Sequence, residues 1–423
     1  MEEWKSDILI NLLDALIDYR GKTPKKKSSG VPLVTAKIIK GGRILPFDEF
    51  IAEDDYDSWM VRGLPLPGDV VLTTEAPLGE VAQLDDTKVA LAQRVVTLRG
   101  KKGILDNTYL KYFLQSDIGQ KRLSARETGT TVTGIKQSEL RKVEISYPDY
   151  DTQCQIGAIL KSLDDKIALN NRINHNLEEQ AQALYKSWFV DFEPFKDVEF
   201  VYSELGMIPK GWRVGHIEEL ISGTYNGDWG KDEETGAFVK KVFCIRGADI
   251  PSIRVGNSGK MPTRFIQEKH FQTKYLKDND IVVEISGGSP TQSTGRFCRV
   301  TEELIRRYDN SLICTNFCKA LRPKEGCSIY VSYLWNDLYE RGIMFSYENG
   351  TTGIKNLDLN GLLSGELIVI PDRKTMSAFS DIVSSLNQQA LFNGHESEKL
   401  AYQRDTLLPK LMSGEISESL LTC

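Results

Sequence analysis

Two tracts of the chain carry side chains suited to holding an acidic polymer. The first, YRGKTPKKKSSGVPLVTAKIIKGGR, contains Lys25, Lys26, Lys27, Lys37, Lys40 and Arg43, and Asp18 is the one carboxylate inside it or beside it. The second, KKVFCIRGADIPSIRVGNSGKMPTRF, contains Lys240, Lys241, Arg246, Arg254, Lys260 and Arg264. Arg and Lys side chains that enter a DNA major groove address guanine, whereas cations that stay on the surface only solvate it. Both fates are expected here, with Arg246 among the base readers. A third pattern occurs twice: GTTVTGIK places Thr130 and Thr131 before Lys136, and GTTGIK places Thr351 and Thr352 before Lys355. Such a tract can approach phosphates closely, donating backbone N–H groups and an ammonium, or it can be no more than a tight turn.

Catalytic chemistry is harder to find. No two glycines are separated by a single residue, so GxGxxG and the glycine turn typical of S-adenosylmethionine sites are both missing. No two prolines are adjacent, which removes the Asp/Asn-Pro-Pro-aromatic motif of amino-methyltransferases. GLPLPGD and GTTVTGI lack the lysine of a nucleotide-binding P-loop. The histidines, His175, His216, His270 and His395, are far apart, with none at metal-ligand spacing. Cys298, Cys314, Cys318 and Cys327 could assemble a thiolate site, but SLICTNFCKAL is apolar and strand-like, which favours core packing. Asp280 and Glu284 share the strand-like DIVVEIS without the lysine of a Glu-x-Lys nuclease. The expectation is a chain with no catalytic residues, no metal and no bound cofactor.

At 423 residues the chain should divide into two or three domains. A net charge of -6 and a pI near 5.5 argue against indiscriminate nucleic-acid binding and leave room for local basic islands. Seven cysteines without CxxC pairs suggest reduced, buried thiols. No apolar run of about 18 residues and no cationic leader occurs. A cytoplasmic protein without membrane contact is expected.

The elements that must position these residues are written twice. Gly134-Ile135-Lys136 and Gly353-Ile354-Lys355 lie 353 minus 134, or 219, residues apart, and Pro148 and Pro371 lie 371 minus 148, or 223, apart. GDVVLTT (68–74) matches NDIVVEI (279–285), YLKYFL (109–114) matches YVSYLW (330–335), and Trp4 matches Trp212. Each repeat opens with β-rich runs punctuated by Gly and Pro, which read as an α+β domain, and closes with a segment of helix formers. The expected boundaries are a first globular domain at 1–150, a spacer helix at 151–195, a second globular domain at 196–371 with a linker at 196–205, and a C-terminal spacer helix at 372–423.

In the first helix, Ile156, Leu160, Leu163, Ile167, Asn170, Asn174, Leu177, Ala181, Leu184 and Trp188 advance by alternating steps of four and three, a coiled-coil seam. Adding 223 gives a weaker seam in register, from Phe379 to Leu411, with Gly394 and Arg404 in or beside it. The two should form an antiparallel coiled coil with Asn170 and Asn393 in a polar layer near its middle. Buried Asn costs stability there but fixes register, so Leu at both positions is expected to stabilise the pair and loosen its alignment. The aromatic run LYKSWFVDFEPF suits either a junction core or a partner surface. Phe192 and Phe195 are its candidates for facing a partner.

The arrangement resembles, over nearly the whole chain, the specificity subunit of Type I restriction-modification enzymes. SELGMIPKGWRV (203–214) is similar to that family's entry into its second target-recognition domain, GTTVTGIKQSEL to the exit from the first, and residues 155–195 to its central conserved helix. The resemblance implies two globular target-recognition domains held apart by an antiparallel helix pair, with internal pseudo-two-fold symmetry. It implies a non-catalytic DNA-specificity subunit whose domains each read one half of a bipartite, asymmetric site on double-stranded DNA while the helices set the unread gap. The implied partners are two methyltransferase subunits, which would carry S-adenosylmethionine, and restriction or translocase subunits. The competing reading is a coiled-coil scaffold whose globular domains bind proteins.

Overall fold

The computed structural model describes residues 4–129, 133–289, 292–350 and 355–416. The chain forms two compact units, one of residues 1–166 with 400–423 and one of residues 167–399, so each boundary falls inside a long helix. The helices run Tyr150–Phe189 and Arg373–Ser413.

Unit 1 is built on a four-stranded antiparallel sheet in the order Leu13–Asp18, Val95–Gly100, Val70–Thr74, Leu78–Gln83. Every residue of Val70–Thr74 is buried, so its sequence, VVLTT, does not alternate between apolar and exposed polar positions. Helix Asn107–Gln115 covers the sheet through Tyr109 and Phe113, and Ile156, Leu160 and Leu411 of the long helices complete the same core. A second small sheet pairs Val31–Val34 antiparallel with Phe50–Ile51 and parallel with Ala90–Leu91.

Unit 2 has the same topology. Its four strands are ordered Ile221–Asn226, Cys318–Pro323, Ile281–Glu284, Phe297–Arg299, and its second sheet pairs Phe238–Ile245 antiparallel with Thr263–Gln267 and parallel with Leu312–Cys314. The core joins Trp335 and Tyr330 of helix Ser328–Glu340 to Tyr185 and Phe379 of the long helices. A two-stranded ribbon closes each unit ahead of its helix: Lys5–Ile8 with Glu144–Tyr147, and Arg213–His216 with Leu367–Ile370.

Both long helices start from one chemical device. Asp149 accepts from Thr152 N and, at 2.7 Å, from its hydroxyl, while Asp372 accepts from Thr375 N and, again at 2.7 Å, from its hydroxyl. A carboxylate satisfying the first free N–H groups is a strong N-cap, and the proline before each ends the preceding strand. The first helix stops at Phe189, earlier than the expected 195, and a left-handed Phe192 opens a short 3-10 turn, Glu193–Phe195.

The match of GDVV with NDIV also has a physical cause. Gly68 and Asn279 both take positive φ, 84° and 69°, a conformation that Gly and Asn reach at least cost. The aspartate that follows is buried in each unit and pairs bidentately with an arginine one strand away. Asp69 accepts from Arg99 Nε at 2.8 Å and Nη2 at 2.7 Å, and Asp280 from Arg322 at the same two distances. Each also accepts the N–H of the residue three before it, Leu66 or Lys277. Asp280 is thus structural, and Glu284 is likewise held by Arg296 at 2.7 Å, so neither is a free nuclease carboxylate. Asp280→Ala would leave Arg322, 20% exposed, without its partner. We expect it to cost about 3 kcal/mol and to lower the thermal midpoint measured by calorimetry.

Candidate nucleic-acid interface

In unit 1, three segments distant in sequence converge at one end of the Val31–Val34 and Ala90–Leu91 strands. Thr23, Pro24, Lys26, Thr35, Lys37, Gln93 and Arg94 line a cleft of about 360 Å³ there. The Thr23 hydroxyl donates to Gln93 Oε1 at 3.1 Å, and Arg94 meets Glu75 at 2.9 Å through Nε. Thr35 Oγ1 is buried at the wall with no hydrogen-bond partner among the described residues. The cations expected here divide into two sets. Lys26 pairs with Glu49 at 2.7 Å and Lys37 with Asp48, contacts that hold the Lys37 ammonium above its usual value by hydrogen bonding. Lys25, Lys27 and Lys40 are exposed, Arg43 is half-exposed, and none has a carboxylate partner among the described residues. Lys40 faces Arg43 across the hairpin Ile39–Lys40 and Arg43–Ile44. Thr23, Gln93 and Arg94 were not evident as site residues from sequence, because only the sheet brings them to the basic tract.

Unit 2 uses most of its expected base readers internally. Arg264 is 6% exposed; it donates to Trp229 O at 2.8 Å, pairs with Asp232 and stacks on the Trp229 ring, so it is a packing residue and cannot reach a groove. Arg246 spends Nε and Nη2 on Asp249 and Lys260 O. Arg254 pairs with Glu178 and lies over Phe297 at 4.7 Å. Lys240 sits over Phe271 at 4.4 Å and Lys241 over Phe243 at 5.4 Å, while Lys260 stays exposed. A tract of cations in sequence thus becomes mainly a network that shapes loops.

The Gly-Thr-Thr tracts do not superpose as their letters suggest. Ile135 N donates to Thr74 O at 2.9 Å, and the residue making the equivalent bond in unit 2 is Leu357, to Ile285 O at 2.8 Å. The bridges Glu75↔Gly134 and Ser286↔Asn356 agree. Lys136 therefore corresponds to Asp358, and each residue precedes a short helix, Gln137–Leu140 or Leu359–Gly365. Lys136 is exposed and unpaired among the described residues. Lys355 instead lies in a strand with its ammonium on Glu348 at 2.8 Å and over the Phe345 ring. Thr130, Thr131, Thr351 and Thr352 lie outside the described residues.

Within unit 2 the two long helices run antiparallel through a polar layer larger than the two asparagines expected. Asn170 Nδ2 donates to Glu396 at 2.8 Å, to Ser397 Oγ at 3.3 Å and to Asn393 O at 3.3 Å. Asn393 Nδ2 donates to Asn174 Oδ1 at 2.9 Å and Asn393 Oδ1 accepts from Gln389 Nε2 at 2.8 Å, while Asn174 Nδ2 donates to Ala390 O at 2.9 Å and Val255 O at 3.0 Å. Gly394 is no weak point: a Cβ there would sit 2.6 Å from the Val255 and Gly256 backbone, so its absence lets the helix touch that loop. Within unit 1, Arg404 is equally purposeful. It donates to Asp164 at 2.7 Å beside Tyr112, also at 2.7 Å, and Lys111 at 3.3 Å. Burial alone would raise the Asp164 carboxyl, but the Tyr112 and Arg404 donors and the nearby cations hold it below the usual carboxylate range.

Residues 19–179 match the family model of the Type I restriction modification DNA specificity domain. The Type I restriction enzyme MjaIX specificity subunit of Methanocaldococcus jannaschii is 30% identical over 418 residues, covering 94% of this chain and 90% of that protein. The chain belongs to the specificity subunits of type I restriction enzymes. The HindI specificity subunit of Haemophilus influenzae is 26% identical over 74% of this chain and 76% of its own. The fold is that of a Type-I restriction-modification S subunit from M. genitalium, with a TM-score of 0.57 at 18% identity, covering 97% of this chain and 96% of that one.

In this specificity subunit the aromatic run serves packing first. Phe192 and Phe195 set their rings edge-on against Trp212 at 5.6 and 4.9 Å, leaving each half-buried rather than projecting. Cys244 and Cys318 are buried with thiols pushed up to about 12 by desolvation, which disfavours thiolate and fits core packing. Among the described residues no cluster of His, Cys, Asp and Glu could hold a metal ion, and no helix is long and apolar enough to cross a membrane. The polar layer reverses one expectation. Leu at both Asn170 and Asn393 would leave the buried Asn174 Oδ1 without its donor, so the double variant should lose about 1 to 3 kcal/mol in urea unfolding instead of gaining stability. The two lysines should also differ. Lys136→Ala is expected to weaken DNA binding by the assembled complex uniformly across sequences and to lower its salt slope by about 1, whereas Lys355→Ala should leave the slope unchanged.

Proposed function

We propose that this specificity subunit reads a bipartite, asymmetric site on double-stranded DNA, one half with each unit, and that the paired helices set the unread gap. Its product is selectivity. Two methyltransferase subunits, which carry S-adenosylmethionine, dock on it in the cytoplasm and act where it directs them, joined by restriction or translocase subunits for cleavage. What supports the reading is one topology built twice with different side chains at equivalent strand ends. Two readers of one design but unlike chemistry suit a site with two unlike halves, since a symmetric site would call for matching readers. Of the candidate cations, Lys25, Lys27, Lys40, Arg43, Lys136 and Lys260 have no carboxylate partner among the described residues and are available to meet the backbone or bases.

The reading is tested by co-expressing the chain with its methyltransferase subunits, confirming co-purification, and mapping methylated adenines across the host genome by long-read sequencing. A split motif with two specific halves and a fixed gap is expected. No motif, or a continuous one, from a methylation-competent complex would overturn it in favour of a protein-binding scaffold.

A further inference from the structure

The loops that follow the parallel strands, 92–94 in unit 1 and 315–317 in unit 2, are the same structural object. Ala92 N donates to Val34 O at 3.0 Å, and Thr315 N to Ile245 O at 3.0 Å. Each loop then closes on itself, Val95 N to Ala92 O and Cys318 N to Thr315 O. Its last carbonyl accepts from the end of the central strand: Thr74 N donates to Arg94 O at 3.0 Å, and Ile285 N to Phe317 O at 2.9 Å. The strands resume in matching register, Val95 opposite Thr73 and Cys318 opposite Glu284. Arg94 and Phe317 therefore occupy one position on two backbones held by the same bonds.

Their chemistry is opposite. Arg94 is half-exposed and borders the cleft with Thr23, Lys26 and Lys37; Glu75 holds it through Nε. Phe317 is 52% exposed, on a loop whose neighbour Asp228 brings Trp229, 40% exposed, to the same strand end by its N–H bond to Cys314 O. An arginine can hydrogen-bond guanine O6 and N7 bidentately, whereas a phenylalanine ring carries no donor or acceptor for base edges and in the major groove makes apolar contact with the thymine C5-methyl.

We propose that this loop position is what makes the two half-sites different: Arg94 specifies a guanine in the half read by unit 1, and Phe317 favours a thymine in the half read by unit 2. The inference rests on the bipartite reading above. Both side chains project from loops fixed by backbone bonds, so substitution leaves the fold in place, which co-purification and the thermal midpoint of each complex verify.

The test is the methylated-adenine map of the full complex carrying Arg94→Ala, Arg94→Lys or Phe317→Ala. Arg94→Ala should relax guanine preference at one position of one half by about 5- to 150-fold, with the other half unchanged. Arg94→Lys, which keeps the charge but loses the bidentate fork, should relax the same position. Phe317→Ala should relax one thymine in the opposite half. Wild-type preference in all three variants, an Arg94→Lys complex as selective as wild type, or an even loss of methylation over all sequences would overturn the proposal, the last two marking Arg94 as a phosphate contact. A wild-type complex without a split motif would instead bring down the bipartite reading itself.

Discussion

A buried carboxylate must find donors or it destabilises the fold, and in both units that requirement falls on the residue that begins the central strand. Asp69 and Asp280 are 1% and 0% exposed, and each satisfies its oxygens with the preceding turn and with an arginine on the adjacent strand. The left-handed residue before each aspartate aims the chain into that pairing. Once the central strand is placed, its neighbours and the parallel strand beyond it end at fixed points. The loops carrying Arg94 and Phe317 hang from those ends, so recognition chemistry is positioned by interactions that never meet the ligand.

The long helices follow the same logic with a different balance in each unit. Unit 1 crosses its helices at an ionic cluster, Asp164 with Arg404, Lys111 and Tyr112. At the equivalent place in unit 2 Asn387 stands where Asp164 does and accepts from the Tyr333 hydroxyl at 3.1 Å, with the Glu178 carboxylate 3.5 Å from the same hydroxyl. Unit 2 instead concentrates its polar demand in the asparagine layer, where nearly every amide donor has a named acceptor. Sliding either helix by one turn would leave those amides unsatisfied, so the layer specifies register more sharply than an apolar seam could.

Much of this was legible in sequence where the cause is local. Proline, aspartate and threonine at 148–152 and 371–375 announce the helix starts, and no seam position read from the heptads is exposed in the structure. Arg404 and Gly394 were misjudged because a single helix does not show what faces it: Asp164 lies 240 residues away in sequence, and the Gly256 backbone lies on a loop of the globular part. The second Gly-Thr-Thr tract misled for a related reason. Identical letters three residues out of step kept the repeat visible but assigned Lys355 the place that Asp358 holds.

The sequence by itself determined the doubled design, the α+β composition of each repeat and the long helices, because periodicity, caps and punctuation are written in neighbouring residues. Only the tertiary structure decided which cations are free. Arg264, Arg246 and Lys355 look like Lys136 in a string of letters, yet the folded backbone of unit 2 sets the first three against the carboxylates of Asp232, Asp249 and Glu348. A side chain's charge is local, but its availability depends on every group that folding places within hydrogen-bond reach.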